Sequence, residues 1–376
     1  MLREISRLAP ALLAAALASG PALAADDADA GMIVFEGVCD ASAVVFTLGE
    51  QLLVADDMTD VLHSFRPTGG PAFARHDLYP HTGTPERARG NFSAFEGAAR
   101  QGDKIYFVTS HARQWQGKNR PNRRRLLALK SKPIGKGELV EPVGIAYTNL
   151  RAKLTEAPEM RGVALGSSIM ELHRQLPQLA PERLGINIEG LAGGRDGTSL
   201  LLGLRNPRRD DLALVVPITN PEQVVLGLAD PRFEPPIRID LGGLGITSLA
   251  LDRGSGRYYI LAGRHDAEGG ARLFRWSGEA ADAPVPLQDI APADFEAQGL
   301  AVAPDGKRLM LLSDDGSRRV PVENRDQCQR KPDEAGTCAC NNLADATLKR
   351  FRGQWIELPG SEPESQTKPK SASAKP

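Results

Sequence analysis

Residues 189–206 read EGLAGGRDGTSLLLGLRN and contain a whole structural unit. Glu189-Gly190-Leu191 opens a short apolar strand, Arg195-Asp196-Gly197 is a turn, and a second apolar strand stops at Arg205-Asn206. An Asp-Gly pair between two apolar runs is a strong hairpin signal, because tight hairpin turns need residues that tolerate positive φ. The unit recurs along the chain. Glu36-Gly37-Val38 is followed by LLVADD ending at Asp57, and Glu96-Gly97-Ala98 by IYFVTSH ending at His111. Gly245-Ile246 is followed by YYILAGRH ending at His265. Gln298-Gly299-Leu300, with a Pro304-Asp305-Gly306 turn, is followed by LMLLSDD ending at Asp315.

Weaker strand candidates follow each pair: Val61 to Phe65, Arg125 to Leu129, Leu212 to Pro217 and Arg272 to Trp276, then stretches such as Ile237 to Leu241. Four strands per unit, with most units 54 to 60 residues apart, predict an all-β chain. The expected fold is a β-propeller of five four-stranded blades, or six if irregular strands make another. A two-sheet sandwich would not repeat one signature so regularly. Gly97 and Gly190 are 93 residues apart. The excess falls at about 149–180, where Ser168 to Leu176 has helix-like patterning, so a short helical insertion is expected between blades two and three.

The chain has 376 residues, with 46 basic against 47 acidic and a net charge of −1. Such a balance gives no global pull toward nucleic acid or an anionic membrane. Arg3 and Arg7, the apolar run Leu8 to Ala18 and Ala22-Leu23-Ala24 read as a cleavable signal peptide over 1–24. The run is shorter than the roughly 20 residues that cross a bilayer, and no later segment reads as a span. The propeller domain is expected over 25–359, and 360–376, rich in Ser, Lys, Pro and Glu, as a disordered tail. The implied address is periplasmic or secreted. In that oxidising compartment Cys39, Cys328, Cys338 and Cys340 suggest two disulfides. One of Cys338 and Cys340 is expected to pair with Cys328, and the other with Cys39. Without a Cys-x-x-Cys pair or a nearby His, zinc is the weaker reading.

In a propeller, the first strand of each blade starts, and the second ends, on the same face. The strand starts and stops therefore gather at one mouth, where convergent polar groups make the natural ligand site. Glu96, Glu189 and His111 are the candidate proton-transfer groups. Arg205, Asn206 and Arg264 are candidate ligand contacts, with Arg120 and Asn122 of the basic loop 118–125. Glu36, Asp40, Asp56, Asp57 and Asp314 offer hard oxygens of the kind Ca²⁺ or another divalent cation takes. Ser110, His265, Gln298 and Asp315 fall on the same face. A structural reading stands beside this one: Glu in Glu-Gly can accept backbone N–H groups, and Asp caps turns. The strand stops vary between acidic, His, Arg-Asn and Arg-His, which suits a ligand better than a repeated structural device. With one aromatic nearby, Trp115, the basic loop does not read as a nucleic-acid surface.

A family resemblance rests on Glu36-Gly37-Val38-Cys39-Asp40-Ala41-Ser42-Ala43, Arg120-Pro121-Asn122-Arg123, Asn187-Ile188-Glu189-Gly190-Leu191, Arg205-Asn206-Pro207 and Asp240-Leu241-Gly242-Gly243-Leu244-Gly245-Ile246. Together these resemble a secreted bacterial domain-of-unknown-function family of β-propellers, over roughly 33–358. The chain is also loosely similar to phytase-like and esterase-like propellers, which share the Glu-Gly-Leu blade start. Gln298 carries an amide where such blades have Glu, so the mouth departs from a fully acidic calcium cage. No Gly-x-Ser-x-Gly elbow, His-Glu-x-x-His or Gly-x-x-x-x-Gly-Lys loop occurs. The expected function is a divalent-cation-dependent hydrolase of phosphate or other esters acting on a small or anionic ligand. The alternative is a non-catalytic propeller that binds a small ligand, a glycan or an envelope protein.

Overall fold

The computed structural model describes residues 31–84, 92–135, 137–163, 177–181, 185–264, 270–292 and 294–359. The signal peptide, the tail, the helix-like stretch Ser168 to Leu176 and His265 lie outside the described residues.

Short apolar strands punctuated by Gly, Asp and Pro cannot bury two faces alone, and here they pack as four-stranded antiparallel blades around a channel. The chain begins with β1 (Ile33–Glu36). Blade one follows as β2 (Ala41–Phe46), β3 (Leu52–Asp56), β4 (Val61–Phe65), a two-residue β5 (Gly70–Pro71) beside β1, and β6 (Ala74–Asp77). Blade two is β7 (Phe95–Gln101), β8 (Lys104–Thr109), β9 (Leu126–Ile134) and β10 (Gly137–Tyr147). Blade three is β11 (Asn187–Gly193), β12 (Leu200–Arg209), β13 (Leu212–Ile218) and β14 (Ile237–Ile239). Blade four is β15 (Gly245–Asp252), β16 (Arg257–Gly263), β17 (Arg272–Trp276) and β18 (Val285–Asp289). Blade five opens with β19 (Ala297–Val302) and β20 (Arg308–Ser313). A hairpin of β21 (Arg319–Pro321) and β22 (Thr337–Ala339) intervenes before β23 (Arg350–Glu357).

Blade five is completed from the other end of the chain, in the order β19-β20-β23-β1. Ile33 pairs with Gly353 and Glu36 with Arg350. Phe35 stacks on Phe351 at 4.8 Å and meets the edge of Phe65 at 5.4 Å, so β1 is wedged between blades five and one. This corrects the reading of the first repeat. Glu36-Gly37 does not open an inner strand. It ends the fourth strand of blade five, beside β5, and Gly37, at φ +102°, turns the chain toward β2.

The inner strands β2, β7, β11, β15 and β19 stand side by side around the channel. Each slips register near its start, leaving one residue out of the ladder as a bulge. Those residues are Ser42, Glu96, Glu189, Thr247 and Gln298. The glycine that follows three of them has a packing cause. A Cβ on Gly97 would meet Leu191 Cβ at 2.8 Å, on Gly190 Ile246 Cγ2 at 2.8 Å, and on Gly299 Ser42 O at 2.9 Å. Without side chains there, neighbouring inner strands can touch.

Between blades the core is aliphatic: Val108, Leu191, Leu202 and Leu214 between two and three, and Ala192, Val215, Ile246 and Ile260 between three and four. The helices are short. α1 (Tyr79–Thr82) precedes blade two, α2 (Leu150–Glu156) lies in the insertion between blades two and three, and α3 (Pro221–Val225) links β13 to β14. The disulfides are Cys39–Cys340 and Cys328–Cys338, as one of the two expected pairings has it. No helix among the described residues is long and apolar enough to cross a membrane.

Candidate functional site

The inner-strand starts, the second-strand ends and the loops between blades share one face of the ring. There the bulges form a collar. Gln298 Nε2 donates to Glu96 Oε2 at 3.4 Å and to Glu189 Oε2 at 3.2 Å, bringing together residues from blades five, two and three. Arg205, midway along β12, donates through Nη1 to both Glu189 oxygens at 3.1 and 3.0 Å. Its Nε and Nη2 are fixed on the Arg264 carbonyl at 3.1 and 2.8 Å, which aims the guanidinium at Glu189. Asn187 Nδ2 adds a bond to Glu189 Oε1 at 2.7 Å. A guanidinium and an amide thus fix the Glu189 carboxyl in one orientation at the collar. Ser42 Oγ instead donates to the Phe95 carbonyl at 2.5 Å, tying blade one to blade two. Thr247 is 2% exposed, and its hydroxyl has no hydrogen-bond partner among the described residues.

Beside the collar lie the acids of blades one and five. Burial pushes the Glu96 carboxyl well above the ordinary Glu value, and the negative charge of Glu189 adds to it. Burial also raises Asp57 well above the Asp range, reinforced by Asp314, Glu96, Asp40 and Asp56. Asp314 is raised by burial and by Asp40, and Asp40 chiefly by burial. Asp56 is raised to about 7 by burial and the charge of Asp40. Part of this cluster is structural. Asp56 Oδ1 accepts Met58 N at 2.9 Å and Asp314 Oδ1 accepts Gly316 N at 2.9 Å, both turn contacts. Asn341 Nδ2, from the segment between β22 and β23, donates to Asp40 Oδ1 at 3.0 Å. Asp57 Oδ1 is buried and has no partner among the described residues.

The oxygen donors suit a hard cation in kind. In spacing they do not, because no three carboxylate, imidazole or thiolate groups among the described residues converge on one point. No chemistry is therefore routed through a metal.

Other expected site residues lie elsewhere. Glu36 sits on the outer rim of blade five. Asn206 is 3% exposed and donates to the Pro181 and Gly185 carbonyls at 3.1 and 3.0 Å. Arg264 takes part through its carbonyl, and its residue is exposed. Arg120 donates to Gln114 Oε1 at 2.5 Å, and Asn122 stands in a short 3-10 turn, Pro121–Arg123. Ser110 is buried, with Oγ accepting Ala112 N at 3.4 Å. His111 is fully buried, with Nδ1 donating to the Thr109 carbonyl at 2.8 Å, and burial brings its pKa down to about 3. Asp315 faces away from the collar and pairs with buried Arg352 at 2.8 Å. Sequence reasoning missed Thr247 and Ser42, whose collar positions carry no Glu-Gly signature, and Asn341, which reaches Asp40 across 301 residues. At the opposite end of the channel a recess lined by Val44, Phe46, Ala98, Leu300 and Ala303 is mostly apolar, with Arg100, Asp252 and Arg253 at its rim.

No protein-family model matches the sequence, and no curated protein matches it. Solved structures are similar to the chain at low identity over most of its length. The chain is similar to glutaminyl cyclase of Myxococcus xanthus, with 9% identity, 87% of this chain and 95% of that one covered, and a TM-score of 0.40. It is similar to the PQQ-bound aldose sugar dehydrogenase of Streptomyces coelicolor, with 13% identity, 86% and 96% coverage and a TM-score of 0.39. Against the calcium-binding protein regucalcin of Agrobacterium tumefaciens the values are 11%, 87% and 94%, and 0.36. Their names cover several different activities, and none names a phytase.

Proposed function

We propose that the chain is a secreted or periplasmic propeller hydrolase whose acid and base are Glu96 and Glu189. The observation that carries this reading is the amide of Gln298, which reaches both carboxyls, with Arg205 donating to Glu189. Two carboxyl groups side by side in unlike surroundings are the pattern of an acid–base pair. Glu189, paired with Arg205, takes a proton from water as the water oxygen attacks the carbonyl or phosphoryl centre of an ester. Glu96, kept protonated by burial, gives its proton to the leaving alkoxide. Gln298 and Arg205 position the pair. The disulfides fit an oxidising compartment.

The test is a screen of carboxylic and phosphate esters with wild type, Glu96→Gln and Glu189→Gln. Each variant should keep its fold by circular dichroism and lose about 10²-fold or more in kcat. Glu96→Gln should also remove the alkaline limb of the kcat profile. Turnover unchanged in both folded variants would end the acid–base reading. A wild type that binds an ester without cleaving it would leave a propeller that only binds ligand.

A further inference from the structure

The end of the channel away from the collar holds a recess that the hydrolase reading does not use. All five inner strands line it, and its volume is about 110 Å³. Val44, Phe46, Ala99, Leu191, Leu300 and Ala303 are among its walls, all of them buried. An apolar cavity of about 150 Å³ stays dry and takes a benzene ring. By that measure the recess is the size of a short acyl chain, and walls of this kind suit one.

The rim is positive. Arg253, in the turn after β15, reaches past β11 to the end of β7, where Nη2 donates to the Arg100 carbonyl and to Gln101 Oε1, the latter at 2.6 Å. Gln101 is braced in turn, its Nε2 donating to the Gly194 and Ser199 carbonyls at 3.0 Å each. Neutral acceptors therefore fix Arg253 in place without answering its charge. Burial and the neighbouring charge of Arg100 hold its guanidinium below the usual Arg value. Asp252 is the one acid among the residues that line the recess, and it is committed to its own turn. Its Oδ1 accepts Gly254 N at 2.9 Å and its Oδ2 accepts Ser255 Oγ at 2.5 Å. Among the described residues neither Arg100 nor Arg253 has a carboxylate partner. Two guanidinium groups at the opening of an apolar recess match an anion with an apolar body. A carboxylate head accepts the paired N–H groups of a guanidinium, and its acyl chain leaves water for the recess. An inorganic anion would leave the recess unfilled.

We propose that this recess binds the anion of a short-chain carboxylic acid, its acyl chain among Val44, Phe46, Leu191 and Leu300 and its carboxylate at Arg100 and Arg253. The site goes beyond the hydrolase reading, because it lies at the other end of the channel from Glu96 and Glu189 and binds whether or not they turn anything over.

The experiment is titration calorimetry and thermal unfolding of the full chain with hexanoate, acetate and hexanamide at one ionic strength. Hexanoate should bind and raise the unfolding midpoint. Acetate lacks the chain, and each buried methylene counts about fourfold in affinity, so it should bind at least tenfold more weakly. Hexanamide keeps the chain but lacks the charge, and should also bind at least tenfold more weakly. Arg253→Gln, at an exposed turn position, should weaken hexanoate binding at least tenfold and leave hexanamide binding as it was. Arg100→Gln should do the same. Equal binding of acetate or hexanamide, no binding of hexanoate, or wild-type affinity in folded Arg253→Gln and Arg100→Gln would each overturn the proposal. A dimer in sedimentation whose formation shuts hexanoate out would give the recess to a second copy of the chain and overturn it as well.

Discussion

Asp57 and its neighbours put a definite sign on the pH dependence of stability. Burial raises the folded-state values of Asp56, Asp57, Glu96 and Asp314 above those of the unfolded chain. As pH rises past 3.8, the unfolded chain gives up its protons first, so the native state loses ground. For Asp56 the loss runs from 3.8 to about 7, on the order of 1 kcal/mol per pH unit. The other three act in the same direction. Urea unfolding should therefore show stability falling from pH 4 through pH 7, with a shallower slope in Asp57→Asn. A flat profile, or one that rises, would contradict this charge arrangement. Glu96 and Glu189 were legible in the sequence because each precedes a glycine and an apolar run. Thr247 and Ser42 hold the same bulge position with short side chains, and nothing in the letters separates them from other strand residues.

The glycines of the inner strands belong to the scale of elements. Gly190 faces Ile246 Cγ2 and the Cα of Gly203, and a backbone atom cannot step aside. Gly190→Ala should cost about 1–3 kcal/mol through overpacking, read as a lower urea midpoint with unchanged slope. The inner hairpins were readable because each is an apolar pair with a turn between, buried on both faces. The outer strands were harder: β14 has three residues, and β18 alternates little and is mostly exposed. Glu36-Gly37 misled because a strand ending at a glycine turn and a strand beginning at one share the same letters. Only the pairing of Glu36 with Arg350, near the far end of the chain, separates the two cases.

For the whole molecule, the ring is fastened twice in one place. β1 pairs with β23, and a few residues on Cys39 is bonded to Cys340 across 301 positions. Exchanging both cysteines for serine should lower stability by about 2–5 kcal/mol, seen as an earlier urea midpoint, since the crosslink spans nearly the entire domain. The mouth is also polarised as a whole. Acids gather on blades one and five, and arginines on the loop of blade two and on α2. That division was readable only in part, because Arg113 and Arg151 converge through folding and not through spacing.

Closure by β1 has a temporal meaning. The first strand to leave the ribosome must wait for the last, because its partner β23 ends at Glu357. Until then the nascent chain is an open arc with β1 unclaimed and blade five unfinished. A chain that lacks Ile33–Glu36, or that stops short of Arg350, keeps that gap permanently. The pairing of β1 with β23 is thus the signal that the circle is complete.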